Sequence, residues 1–145
     1  MTALLDVNLL VSLAWPNHVH HRRALSWFRA RAGEPWATTP FTEAGFVRVS
    51  SNASAIATAV SPSAAVAMLT RLRRLAGHSF LIDDVGLVFG EHVDAARARS
   101  HRHVADAHLV ALARRHGARL ATLDAGLPAL VGDGESVILV PVERR

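Results

Sequence analysis

Short apolar runs alternate with longer stretches of helical spacing along this chain. "TALLDV" (2–7) predicts a short buried strand, and "NLLVSLAW" (8–15) predicts a helix that stops before Pro16. "HHRRALSWFRARAG" (20–33) predicts an amphipathic helix with Leu25 and Phe28 on one face and Gly33 at its end. "PWATT" (35–39) is a second strand. In "TPFTEAGFVRVSS" (39–51), Thr39 is the N-cap and Pro40 the first helical position, so Glu43 falls in the first turn. "SPSAAVAMLTRLRRLAG" (61–77) is another capped helix, with Ser61 before Pro62 and Gly77 past the end. "SFLID" (79–83) is a third strand and "EHVDAARARS" (91–100) has helical spacing. "HVADAHLVALARRHG" (103–117) is a helix with Asp106 near its start and Gly117 closing it. "ARLATL" (118–123) is a fourth strand, followed directly by Asp124, which is placed to cap "AGLPALVG" (125–132). "SVILVPV" (136–142) is the last strand.

Uniformly apolar strands that alternate with helices specify an α/β fold, a parallel sheet covered on both faces. Every strand-to-helix connection then reaches one edge, where the carboxyl ends of the strands lie and where ligands bind. Four acids fall at those connections: Asp6, Glu43, Asp106 and Asp124. Any one of them alone is explained by helix capping and the helix macrodipole. Four on one rim repel one another, and protonation or a cation must relieve that repulsion. An all-oxygen donor set suits Mg²⁺ or Mn²⁺, and such an ion activates water and offsets charge on a phosphate.

Composition narrows the chemistry. The 145 residues are 50% hydrophobic and 19% charged, a globular balance that fits one domain over 1–145. No apolar run reaches the ~20 residues that span a bilayer, and the N-terminus has no secretion signal. Cysteine is absent, which excludes disulfides, thiolate zinc and a cysteine nucleophile, and is compatible with the cytoplasm, where we expect the protein. Lysine is absent as well. That excludes P-loop, Schiff-base and lysine-assisted phosphotransfer chemistry, although arginine for lysine with abundant alanine also reflects a GC-rich genome. The net charge of +4, with nine histidines still neutral, permits a polyanionic partner without requiring one.

"LLDVNLLVSL", "FTEAGFVRV", "VADAHLVALARRHG" and "LATLD", in this order and over essentially the whole chain, resemble the PIN domains and, within them, the VapC toxins of toxin–antitoxin pairs. The resemblance implies a three-layer α/β/α sandwich with a central parallel five-stranded sheet, and an Mg²⁺- or Mn²⁺-dependent endoribonuclease. By motif match it carries Asp6, Glu43, Asp106 and Asp124 over as the acidic, metal-binding and catalytic site, with Asp6 and Asp106 the firmest ligands. It implies that Asn8 orients the Asp6 carboxylate and that Thr122 hydrogen-bonds within the site. It further implies a homodimer, a small VapB-type antitoxin that blocks the acidic groove, and cleavage of structured RNA such as tRNA or ribosomal RNA that stops translation. In that mechanism a water held in line with the phosphodiester loses its proton to Glu43 or Asp124, and arginines hold flanking phosphates. Residues 50–100 match the family only loosely.

Two other readings remain open. A metal-dependent phosphatase with an acid-rich loop after strand one needs a second Asp two residues after the first, where this chain has Asn8, and a lysine. A non-catalytic RNA- or nucleotide-binding module leaves the four acids unexplained, and no glycine-rich loop follows strand one. Elsewhere, "NHVHHRR" (17–23) lacks zinc spacing and reads as an exposed or RNA-facing segment. "SHRHVADAH" (100–108) is equally a phosphate-holding element or a solvated helix start, Asp83 and Asp84 form a turn and helix cap, and "RLRR" (71–74) is a solvated face. Trp15, Trp27, Trp36, Phe28, Phe41 and Phe46 are expected in core or interface packing rather than in a base-stacking platform.

Overall fold

The computed structural model describes residues 1–87, 100–131 and 135–142. Its strands are β1 (Ala3–Leu5), β2 (Trp36–Thr38), β3 (His78–Phe80), β4 (Arg119–Thr122) and β5 (Val137–Leu139). Its helices are α1 (Val7–Ala14), α2 (His21–Ala30), α3 (Pro40–Ser50), α4 (Pro62–Arg73), α5 (Val104–Arg115) and α6 (Leu127–Val131). The helix expected over 91–100 lies outside the described residues but for Ser100.

The five strands form one parallel sheet in the order β3-β2-β1-β4-β5. Successive strand residues face opposite layers. Ala3 and Leu5 of β1 join Leu9, Leu10, Phe46 and Leu69 in the core beneath α1, α3 and α4. Leu4 joins Leu109, Leu112, Leu120 and Leu127 in the core beneath α5 and α6. Helices therefore cover both faces, and β1 is fully buried between them.

The boundaries follow local chemistry. Asp6 caps α1 by accepting the Val7 N–H at 2.7 Å, so the strand ends at Leu5 and the helix begins at Val7. Ser61 caps α4 through the Ala64 N–H at 3.2 Å. Gly77 leads into β3 at φ +85°, where a Cβ would also lie 2.7 Å from the Glu34 carbonyl. α3 crosses α1 closely because Gly45 lacks a Cβ, which would stand 2.5 Å from a Val7 methyl. β3 is shorter than the expected 79–83. The Leu81 N–H still bonds the Thr38 carbonyl at 2.8 Å, but Thr39 turns into α3 and its hydroxyl takes the Leu81 carbonyl at 2.9 Å. No ladder is left beyond that point for Ile82 and Asp83.

β1 is followed by β2 on one side, whereas β4 pairs with β1 on the other. The connection from β3 to β4 thus passes from one edge of the sheet across β2 and β1. The strand order reverses between β1 and β4, and in open α/β sheets ligands bind at such a reversal, at the carboxyl ends of the strands.

Candidate acidic site at the strand-order reversal

Asp6 follows β1 at that reversal and is 7% exposed. Its Oδ1 accepts from Val7 N, and its Oδ2 accepts from the Thr122 hydroxyl at 2.9 Å. Burial pushes its pKa up, the bonds from Thr122 and Val7 pull it down, and the charge of Asp124 pushes it up again. Thr122, at the end of β4, uses its whole hydroxyl. It donates to Asp6 and accepts from Asn8 Nδ2 at 3.4 Å and from the Asp124 N–H at 3.1 Å. Asn8 also accepts from the Leu123 N–H at 3.4 Å. Asn8 thus steadies Thr122, and contrary to expectation it does not touch the Asp6 carboxylate. From the first turn of α1, its side chain points across to the end of β4 instead.

Asp124 stands exposed after β4, with Oδ1 accepting the Gly126 N–H at 2.8 Å in a turn that leads into α6. Asp106 lies in the first turn of α5, half-buried. Its pKa is pushed up to about 6, first by burial and then by the charges of Asp6 and Asp124, with His103 acting in the opposite direction. Three aspartates from β1, α5 and the β4 end therefore share one electrostatic neighbourhood.

Glu43 is placed differently. It lies in the first turn of α3 as expected, but its Oε1 meets Arg73 Nη1 at 3.0 Å and accepts from the Thr38 hydroxyl at 3.1 Å. It is not among the charges that act on Asp6 or Asp106. The structure thus brings three of the four expected acids together and sets the fourth beside an arginine. Arg73 belongs to the "RLRR" stretch expected to be solvated; it is 41% exposed and lies over the Phe80 ring. Thr38 and Arg73 were missed by sequence reasoning. The sole signal for Thr38 is a threonine pair at the end of an otherwise apolar strand, and nothing local marks Arg73.

The donor chemistry fits a hard divalent cation: oxygen donors, mutual repulsion, and a carboxyl whose pKa is pushed up by burial and by its neighbours. Among the described residues, no three His, Asp or Glu side chains converge closely enough to enclose an ion as they stand. The cluster thus has the charge of a cation site without its closed geometry.

Several other histidines and acids among the described residues are tied into the fold. His18 and His21 anchor their turn to the end of α1, with His18 Nδ1 3.2 Å from the Ser12 hydroxyl and His21 Nδ1 donating to the Ser12 carbonyl at 2.8 Å. Asp83 does not cap a helix; it bonds His108 Nε2 at 2.9 Å. Asp84 pairs with Arg115 and His116 at 3.3 and 3.1 Å, because α5 packs against the segment after β3. Trp15 and Trp36 bond Ser50 and the Ala76 carbonyl through their indole N–H, and Phe46 is fully buried. Phe41 is 40% exposed, edge-on to His108.

The PIN-domain family model matches residues 3–132. The chain is 51% identical over 142 residues to Ribonuclease VapC39 of Mycobacterium tuberculosis, covering 98% of this chain and 99% of that protein. Among solved structures, VapBC2 from Rickettsia felis, bound to a DNA fragment from its promoter, superposes with TM-score 0.65 at 11% identity, over 96% of this chain and 98% of that one. Mycobacterium tuberculosis VapC20, described as a Sarcin-Ricin loop cleaving toxin, superposes with TM-score 0.58 at 14% identity, over 88% and 93%.

Proposed function

The chain belongs to the PIN-domain family, in its VapC group, and on that premise we propose that it is the toxin of a toxin–antitoxin pair. It is an endoribonuclease dependent on Mg²⁺ or Mn²⁺ that cuts structured RNA, tRNA or ribosomal RNA, and so inhibits translation. The observation that carries this reading is the meeting of Asp6, Asp106 and Asp124 at the reversal point of the sheet, where burial and the other two charges push the pKa of Asp106 up. The name of VapC39 supports RNA as substrate, and the description of VapC20 supports a structured RNA loop.

Asp6, Asp106 and Asp124 would hold the cation, with Glu43 the outlying fourth acid. When bound, the ion lowers the pKa of a water and stabilises the charge that develops on the scissile phosphate and leaving oxygen. The protein's own groups prepare that site. Asp6 is fixed at both oxygens before any ligand arrives, by Val7 N and Thr122, which limits the reorganisation needed on binding. Asp106 must lose its proton to act as a ligand. Asp124 is exposed and, among the described residues, has no cationic partner of the kind that Glu43 has in Arg73, so it is the better acceptor for the proton of the attacking water.

The same reading makes residues 1–145 a single domain in the cytoplasm. It acts as a homodimer and is silenced by a cognate VapB-type antitoxin. The VapBC2 complex supports the antitoxin. No described helix is long and apolar enough to cross a membrane.

The test is to incubate the purified chain, free of partner, with total bacterial RNA and Mg²⁺ or Mn²⁺, and to map new 5′ ends beside Asp6→Asn. Discrete metal-dependent ends absent from the variant are expected. Ends equal in the variant would overturn the assignment, and turnover of a phosphate monoester instead would point to the phosphatase.

A further inference from the structure

Arg73, the last residue of α4, reaches across to the first turn of α3 and places Nη1 3.0 Å from Glu43 Oε1. Its guanidinium lies 5.1 Å from the centroid of the Phe80 ring, a contact that favours one plane for the fork. The same Glu43 oxygen accepts from the Thr38 hydroxyl at 3.1 Å. Thr38 has one proton to give, and an ionised carboxylate can only accept it. His78 Nε2, 2.8 Å behind Thr38 Oγ1, must then be the donor there. His78 is seated edge-on against Trp36, with ring centroids 4.7 Å apart. Glu43 is therefore fixed by two arms, a donor chain from β3 and β2 and a guanidinium from α4.

We propose that Arg73 is a positioning residue of the acidic site: it holds Glu43 apart from Asp6, Asp106 and Asp124, so that the resting chain offers a divalent cation three carboxylates rather than four. The inference rests on the reading of the three aspartates as a cation site. Glu43 lies on the same sheet edge and is absent from the charges that act on Asp6 and Asp106, while its own charge is answered by Arg73. Without the guanidinium, a cation among the aspartates becomes the positive charge toward which Glu43 turns.

The experiment is a titration of the metal-free chain with Mn²⁺, followed by the electron paramagnetic resonance of the free ion and without RNA. The variants are R73Q, R73K, E43Q, E43Q/R73Q, D106N and R48Q. Arg48 lines the same groove between α3 and α4 and controls for simple loss of positive charge. R73Q is expected to bind Mn²⁺ about fivefold more tightly, the equivalent of a partly exposed ion pair at the upper end of its usual worth. R73K, which keeps the charge, should stay near wild type, and R73Q should have no effect in the E43Q background. Unchanged or weaker binding by R73Q overturns the proposal. So does an equal gain in R48Q or in the E43Q background, which would be a general charge effect. If wild type binds Mn²⁺, D106N loses it and R73Q changes nothing, the aspartate site stands and the role of Arg73 falls. If no variant binds Mn²⁺, the cation reading falls and this inference with it. Thermal melting of each variant identifies any that fail to fold.

Discussion

Asp106 and Glu43 start from the same local position and end in opposite electrostatic states. Each lies in the first turn of a helix that begins at the carboxyl edge of the sheet, where the macrodipole favours an acid. Asp106 then meets Asp6 and Asp124 and holds its proton to about pH 6. Glu43 meets Arg73 and Thr38 and has its charge answered. The rim thus has a β1–β4 half where carboxylates act on one another and a β2–β3 half where Glu43 is paired with Arg73. An acid at a helix start is a local feature; whether it can serve a cation depends on what the rest of the chain brings beside it.

The largest expected effect separates the two halves by activity. Asp6→Asn and Asp106→Asn should each lower RNA cleavage by at least about 100-fold, whereas Glu43→Gln should lose no more than about tenfold, since its charge is already offset. Cleavage rates with Mn²⁺ measure this, and equal losses in all three variants would erase the distinction.

Next is the spacing between the halves. Gly45→Ala forces α3 away from α1, because the new Cβ meets the Val7 side chain at 2.5 Å. Overpacking of this kind costs about 1–3 kcal/mol, read as a lower urea midpoint. Unchanged stability would mean that Val7 turns aside freely.

Thr122→Val tests the preparation of the β1–β4 half alone. It deletes the donor to Asp6 and the acceptor for Asn8 and the Asp124 N–H, and should cost about 1–2 kcal/mol of stability together with weaker Mn²⁺ binding. A loss of stability with Mn²⁺ affinity intact would make Thr122 structural only.

The smallest effect is in pH. The Asp106 carboxyl releases its proton near 3.8 when unfolded and at about 6 when folded. Between these values the native state binds more protons, so its contribution to stability is lost as pH rises through the window. In chelator, the melting temperature of wild type should therefore fall relative to Asp106→Asn from pH 4 to 7, and Mn²⁺ should close the gap. A gap that stays constant with pH would show that Asp106 titrates normally.

The periodicity of the chain was enough to place five strands, the parallel arrangement and four acids on one edge, because each depends on residues a few positions apart. Proline and glycine marked boundaries that the structure keeps at Pro40, Pro62 and Gly117, whereas α4 ends at Arg73, short of Gly77. The end of β3 was not legible. It depends on Thr39 leaving the sheet and taking the Leu81 carbonyl, a bond between distant segments. Nor could the sequence pair Asp83 with His108 or Asp84 with His116, since those contacts exist only once α5 packs on the chain after β3.

What the sequence by itself determined is the set of carboxylates and the edge they share. What only the tertiary structure decided is how they divide: three that share one neighbourhood, where the charges of Asp6 and Asp124 raise the hold of Asp106 on its proton, and one bound to an arginine from another helix. Patterning is read along the chain, whereas Coulombic coupling acts through space, and Arg73 becomes a neighbour of Glu43 only when α4 lies against α3.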